Sequence, residues 1–247
     1  MSKAEISPTN RNPIESRILY EDNHLLIVNK LPGEIVQGDR TGDKPLPEIL
    51  KAYIKKRDSK PGNVFLGVTH RLDRPTSGAV IFAKTSKALE RINRMLREHK
   101  IRKTYYAVTE GIPDPPEGTL RHFLKKNPAN NKTTVYIRPT PGAKEAVLHY
   151  RTVKTGDFYA LLEIDLETGR HHQIRAQLSK TGHPVRGDLK YGAKRSLPGG
   201  GIMLHARQLQ FFHPVKKTVL DILAPTLTNA WKIIERLTSF PDDKNHI

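Results

Sequence analysis

His70-Arg71-Leu72-Asp73-Arg74-Pro75-Thr76-Ser77-Gly78 is the stretch on which the reading of this 247-residue chain turns. The apolar run Val64-Phe65-Leu66-Gly67-Val68 leads into it, and Ala79-Val80-Ile81-Phe82-Ala83 leads out. Short apolar runs bounded by Gly, Pro and polar residues read as buried strands, which makes the nine residues a loop between two strands. Loops carried on a rigid sheet are where reacting side chains tend to sit. One carboxylate, Asp73, stands between Arg71 and Arg74, with a histidine and two hydroxyls close by. On composition alone the same residues also read as a solvated turn whose Asp, Thr and Ser satisfy local backbone groups.

Composition narrows the partner. The chain has 42 Lys+Arg against 25 Asp+Glu, a net charge of +17, and such a field favours a polyanion, for which nucleic acid is the usual case. A membrane surface is the competing anion, but no basic amphipathic helix with a bulky apolar face is present to engage it. No run approaches transmembrane length, and Met1-Ser2-Lys3-Ala4-Glu5 lacks the apolar core of a signal peptide, so a soluble cytoplasmic protein is expected. There is no cysteine, which excludes disulfides and thiolate metal sites. His171 and His172 are adjacent while His70, His183 and His205 are scattered, so no metal site is expected.

Working outward from the loop, Leu25–Val28 reads as a strand closed by the turn Asn29-Lys30-Leu31-Pro32-Gly33. Leu46, Ile49, Leu50, Tyr53 and Ile54 recur at helical spacing, predicting a helix from Pro45 to Arg57. Ser86 is placed to cap a helix with Leu89, Ile92 and Leu96 on its apolar face. From Lys87 to Lys103 there are seven Lys/Arg against Glu90 and Glu98, either a solvated helix face or a grip on phosphates. Lys103–Val108 is aromatic and β-branched, hence a strand. Thr133–Arg138 and Ala146–Val153 read as strands joined through Pro139–Lys144 as a hairpin, and Phe158–Ile164 as another. Thr168 or Gly169 is expected to open a helix with Ile174 and Leu178 inward and Gly182 at its end. Leu204–Ala206, Leu209–Phe211 and Val219–Leu223 follow as strands, and Ala230, Trp231, Ile234 and Leu237 as a closing helix. Residues 1–15, with Pro8 and Pro13, read as a loose tail, and 16–247 as one domain. Strand pairs with interspersed helices and no βαβ rhythm argue for an α+β fold with a largely antiparallel sheet.

Three segments, in order, carry a family resemblance. His70-Arg71-Leu72-Asp73-x-x-Thr76-Ser77-Gly78, Lys103-x-Tyr105-x-Ala107 and Leu166-x-x-Gly169-Arg170-x-His172-Gln173-Ile174-Arg175 together resemble the signature motifs of the RluA family of RNA pseudouridine synthases. Two departures stand out: the turn has Lys-x-Pro-Gly where members usually have Lys-Pro-x-Gly, and Gln177 replaces a frequent histidine. The resemblance implies the pseudouridine synthase fold, a bent mixed sheet with flanking helices around a central catalytic cleft. It implies Asp73 as the essential carboxylate, Arg175 as its cation, and Tyr105 against the target base. It implies Arg71 as the residue filling the space of a flipped-out base. His70, Arg74, Lys103, Arg170 and His172 join it as candidate RNA contacts. Members often carry an additional N-terminal RNA-binding domain, and none is expected before Leu25.

The implied reaction isomerises uridine, breaking N1–C1′ and joining C5 to C1′, and needs no cofactor. A glycosidase would use two carboxylates, and none is visibly paired with Asp73. The partner implied is a structured ribosomal or transfer RNA. Two alternatives differ in product: a non-catalytic RNA-binding or ribosome-assembly factor would release nothing, and a hydrolase would release free uracil. A monomer is expected, since no long apolar stripe lies unexplained.

Overall fold

The computed structural model describes residues 13–39, 41–227 and 231. Its strands are β1 (Ile18–Glu21), β2 (Leu25–Lys30), β3 (Gly67–Val68), β4 (Ser77–Ala83), β5 (Arg102–Glu110), β6 (Glu117–Asn127), β7 (Lys132–Tyr136), β8 (Lys144–Thr155), β9 (Tyr159–Leu166), β10 (Leu204–Phe212) and β11 (Val219–Leu223). The helices are α1 (Leu46–Arg57), α2 (Ser86–Arg97) and α3 (Gln173–Lys180). The strands form one sheet in the order β1-β2-β4-β10-β5-β9-β8-β6-β7, with β11 beside β10 and β3 beside β4. Among the described strands only β4 and β10 run parallel, so the α+β mixed sheet, largely antiparallel, is as expected.

Alternation along β2 and β4 sorts the helices onto opposite faces. Leu26, Val28, Val80 and Phe82 pack with Leu46, Leu50 and Ile54 of α1, and with Ile174 and Leu178 of α3. The intervening residues, Leu25, Ile27, Ala79 and Ile81, pack with Ala88 and Ile92 of α2. Successive side chains of a strand point to opposite faces, so α2 lies across the sheet from α1 and α3. On that face Arg91 donates to the Pro214 carbonyl and Arg94 pairs with Glu90.

Other expectations shift for local reasons. The strand expected over Val64–Val68 pairs with β4 only at Gly67 and Val68. Thr85, not Ser86, caps α2, its hydroxyl accepting from Ala88 N–H at 3.1 Å. The expected β7–β8 hairpin is absent: β6, which alternation had not picked out, lies between them and pairs with both. The two expected strands Leu204–Ala206 and Leu209–Phe211 are one strand, interrupted by a bulge between Ala206 and Gln208. β1 was also not foreseen. Glu15, at the end of the expected tail, opens a 3-10 turn whose Arg17 is buried against Glu34 at 2.7 Å. Residues 1–12 of that tail and the closing helix fall outside the described residues, apart from buried Trp231, which packs beside His205.

Gly78 accounts for its own place in the loop. Its φ is +115°, and a Cβ there would lie 2.4 Å from the backbone N and O of Ala206. The parallel contact of β4 with β10 thus requires glycine. The preceding Ser77 hydroxyl meets His205 Nδ1 at 2.8 Å, while His205 Nε2 reaches the Ala224 carbonyl at 2.9 Å. Burial holds the His205 imidazole at about 4, so it is neutral and its Nδ1 accepts from the serine.

Candidate active site

The loop Thr69–Thr76 is pinned at both ends. Entering it, Thr69 donates its hydroxyl to the Ile81 carbonyl and His70 Nε2 accepts the Ile81 N–H, at 2.8 and 3.1 Å. Both backbone groups of one β4 residue are thereby satisfied by side chains of the loop. At its exit, buried Lys30 donates to the carbonyls of Leu31, Arg74 and Thr76, at 3.0, 3.1 and 2.6 Å. Burial pushes the Lys30 ammonium down to about 7. Gly33, at φ +88°, donates its N–H to the Arg74 carbonyl at 2.8 Å, so the rearranged Lys-x-Pro-Gly turn still docks on the loop.

Asp73 sits on this frame and lines a cleft of about 1140 Å³ together with Tyr105, Arg71, Lys103, Lys126 and Arg175. Arg175 Nη1 donates to Asp73 Oδ2 at 2.9 Å across 102 residues of sequence. The rest of its guanidinium is fixed from behind: Nε and Nη2 donate to the two oxygens of Asp188 at 2.6 and 2.9 Å. Side-chain exposures of 4% for Arg175 and 1% for Asp188 against 26% for Asp73 make this a buried fork holding a partly open carboxylate. The permanent charge and planar fork of arginine suit it to bridge two carboxylates. The two acids raise the Arg175 guanidinium further. Asp73 Oδ1 has no hydrogen-bond partner among the described residues.

Arg175 is presented by α3, which begins later than expected. Residues 168–171 are not helical; His172 is the N-cap, with a left-handed backbone at φ 50°, and Thr181 ends the helix just before Gly182. Gln173 explains the delay. Its Oε1 accepts from the Thr168 hydroxyl and the Arg170 N–H, and its Nε2 donates to the Val147 carbonyl. The loop is thereby folded back on the sheet instead of winding into the helix. Gln177, at the second family departure, is buried and donates to the Leu120 and Ala146 carbonyls, so it ties α3 to the sheet.

The remaining candidates divide by exposure and partner. Tyr105 is buried on β5 facing the cleft, and its hydroxyl has no hydrogen bond within the described residues; burial and the Asp73 charge raise its pKa. Arg71 is exposed, with one neutral partner, Gln37 Oε1, at 2.5 Å. The half-buried ammonium of Lys103 has no partner among the described residues, and desolvation lowers its pKa. Arg170 is exposed and braced by the Glu145 carbonyl. Arg74 is held by Thr41 and Asp43, so its charge is already matched. His70 is spent on Ile81, and burial holds it neutral at about 3. His172 is buried, 3.7 Å from Asp73 Oδ2. Sequence reading missed Asp188 and Tyr191 as site components. They lie in Gly187-Asp188-Leu189-Lys190-Tyr191-Gly192, a glycine-bounded turn beyond α3 whose return to that helix no local pattern marks.

Fold and site together define a class: a mixed sheet whose central loop presents one partly open carboxylate to a basic cleft. The fold recurs in the solved human RNA pseudouridylate synthase domain containing 4, with a TM-score of 0.76 at 24% identity, covering 90% of this chain and 93% of that one. The family model described as RNA pseudouridylate synthase matches residues 24–180. An uncharacterized RNA pseudouridine synthase of Synechocystis sp. is 34% identical over 222 residues, 88% of this chain and 67% of that protein. The ribosomal large subunit pseudouridine synthase C of Buchnera aphidicola subsp. Baizongia pistaciae is 36% identical over 216 residues, 84% of this chain and 66% of that protein. The chain belongs to the RNA pseudouridine synthase family, a family of isomerases, as the motifs implied. It spans about two thirds of the length of these two curated relatives.

Proposed function

We propose that this protein isomerises uridine to pseudouridine in RNA, with Asp73 as the carboxylate that engages a flipped-out nucleotide. One observation carries the reading: Asp73 is tied through Oδ2 to Arg175 at 2.9 Å while Oδ1 is left to the cleft. Asp188, the other carboxylate nearby, has both oxygens on Arg175, so it cannot serve as the second acid or base of a glycosidase. A single reacting carboxylate suits a reaction in which the base is kept. N1–C1′ breaks, the uracil turns, C5–C1′ forms, and the C5 proton is lost as N1 gains one. Asp73 is partly exposed in the free protein, so the incoming nucleotide itself must seal the pocket against hydrolysis.

Tyr105 lies against the base, with its hydroxyl free for that contact. The nucleotide leaves its stack at a cost of roughly a few kcal/mol, and exposed Arg71 occupies the space vacated. Lys103 and Arg170 grip backbone phosphates at the cleft wall, whereas Arg74, paired with Asp43, and His70, bonded to Ile81, shape the loop. Large-subunit ribosomal RNA is the substrate we infer, from the name of the Buchnera relative. Incubation with RNA carrying C5-tritiated uridine tests the reaction class. Tritium should pass to water with no free uracil; free uracil would indicate a hydrolase, and retention of all tritium a binding factor.

A further inference from the structure

Asp188 and Tyr191 belong to one short turn, whose 3-10 segment is Leu189–Tyr191, and the two side chains reach the two groups that face Asp73. Asp188 orients Arg175. Tyr191 Oη lies 2.8 Å from His172 Nδ1 and accepts the Thr133 N–H at 2.8 Å. The phenol has a single proton. With its oxygen accepting from Thr133, that proton is available to His172 Nδ1, and donated there it leaves the imidazole N–H on Nε2, the nitrogen 3.7 Å from Asp73 Oδ2.

We propose that Tyr191 is a positioning residue that fixes His172 as the Nε2–H tautomer, so that Asp73 Oδ2, bonded to the Arg175 cation, faces a neutral N–H dipole 3.7 Å away and not a lone pair. The inference rests on the pseudouridine synthase reading of the site and assigns how its carboxylate is aimed. The Arg175 hydrogen bond and the His172 dipole both address Oδ2, which leaves Oδ1 to the nucleotide. The backbone supports the assignment independently of the ring. His172 is held in the left-handed region at φ 50°, a conformation uncommon for a side-chain-bearing residue and sustained where surrounding structure over-determines it. Its ring is stacked on His171 at 3.7 Å and stands edge-on to Tyr191 at 5.5 Å, so it has little room to turn. Ser179 ties the Tyr191 carbonyl to α3 at 2.6 Å, and the Arg175 guanidinium lies over the Tyr191 ring at 5.0 Å. Burial and the Arg175 charge keep the His172 imidazole neutral, down to about 2. A neutral donor orients the carboxylate without a second charge competing for it.

The test joins a spectroscopic readout to kinetics. In histidine-15N-labelled protein, with His172 assigned by its loss in His172→Gln, the wild type should show protonated Nε2 and bare Nδ1 between pH 8 and 5.5. In Tyr191→Phe the ring should shift toward the Nδ1–H form, and kcat for tritium release should fall about tenfold with KM nearly unchanged, the worth of one hydrogen bond. His172→Gln keeps an amide N–H near the Nε2 position and should recover most of the activity lost in His172→Leu. An Nδ1–H tautomer in the wild type, or Tyr191→Phe with undiminished kcat, would overturn the proposal. If wild-type protein releases no tritium, the reaction reading fails, and the nitrogen spectra still decide the tautomer.

Discussion

At the residue scale the site is a matter of which oxygen and which nitrogen are already taken. Arg175 spends three of its N–H groups on two carboxylates, and Asp188 is the partner whose loss it could least absorb. Asp188→Asn leaves a buried guanidinium facing a neutral amide. We expect about 3 kcal/mol of stability to be lost in urea unfolding, with a fall in tritium release beyond what stability explains. Unchanged unfolding would mean that the ion pair contributes nothing. Arg175→Lys tests the fork rather than the charge. A lysine ammonium cannot bridge both acids in that geometry, so kcat should drop by at least about tenfold while the fold is retained. A variant with wild-type kcat would show that only a positive charge is needed.

At the element scale, motif letters and tertiary neighbours contributed differently to what could be read in advance. Asp73, Tyr105 and Arg175 were legible because each stands in a fixed local pattern, and all three line one cleft. Tyr191 and Asp188 were not, because their effect depends on a turn folding back on α3, which no periodicity records. The basic stretch from Lys87 to Lys103 left both of its readings open for the converse reason: charge along a helix does not say which face of the sheet the helix covers, and that was set by alternation in β2 and β4. The delayed start of α3 was hidden in a glutamine side chain that competes with helical hydrogen bonding. Gly78 is the element-level residue that ties loop to sheet. Gly78→Ala puts a methyl into the β10 backbone at a positive φ, so about 3 kcal/mol or more should be lost. A thermal midpoint within a degree of wild type would contradict the close approach of β4 and β10.

At the scale of the whole molecule, buried neutral histidines set the acid side of stability. His172 and His205 are held at about 2 and about 4 in the folded protein, well below the value near 6.5 of an unfolded chain. Below pH 6.5 the unfolded state binds protons that the folded state refuses, so stability must fall with falling pH. These two residues together should remove about 3 kcal/mol between pH 6.5 and 5, and His70, held at about 3, acts in the same direction. Urea titrations at the two pH values measure this directly; a flat profile would mean that these rings titrate in the fold as they do in the unfolded chain. The +17 net charge gives the molecule reach toward RNA, and Arg71, Lys103, Lys126 and Arg170 carry part of it on the cleft wall.

The account comes down to one carboxylate. Asp73→Asn preserves shape and hydrogen bonding to Arg175 while removing the negative charge. Tritium release from C5-labelled uridine in RNA should fall by at least about a thousandfold, a loss of about 4 kcal/mol in transition-state stabilisation, with RNA affinity changed by no more than a few-fold. Turnover at the wild-type rate in that variant would contradict the assignment of Asp73 and the reading of the site built on it.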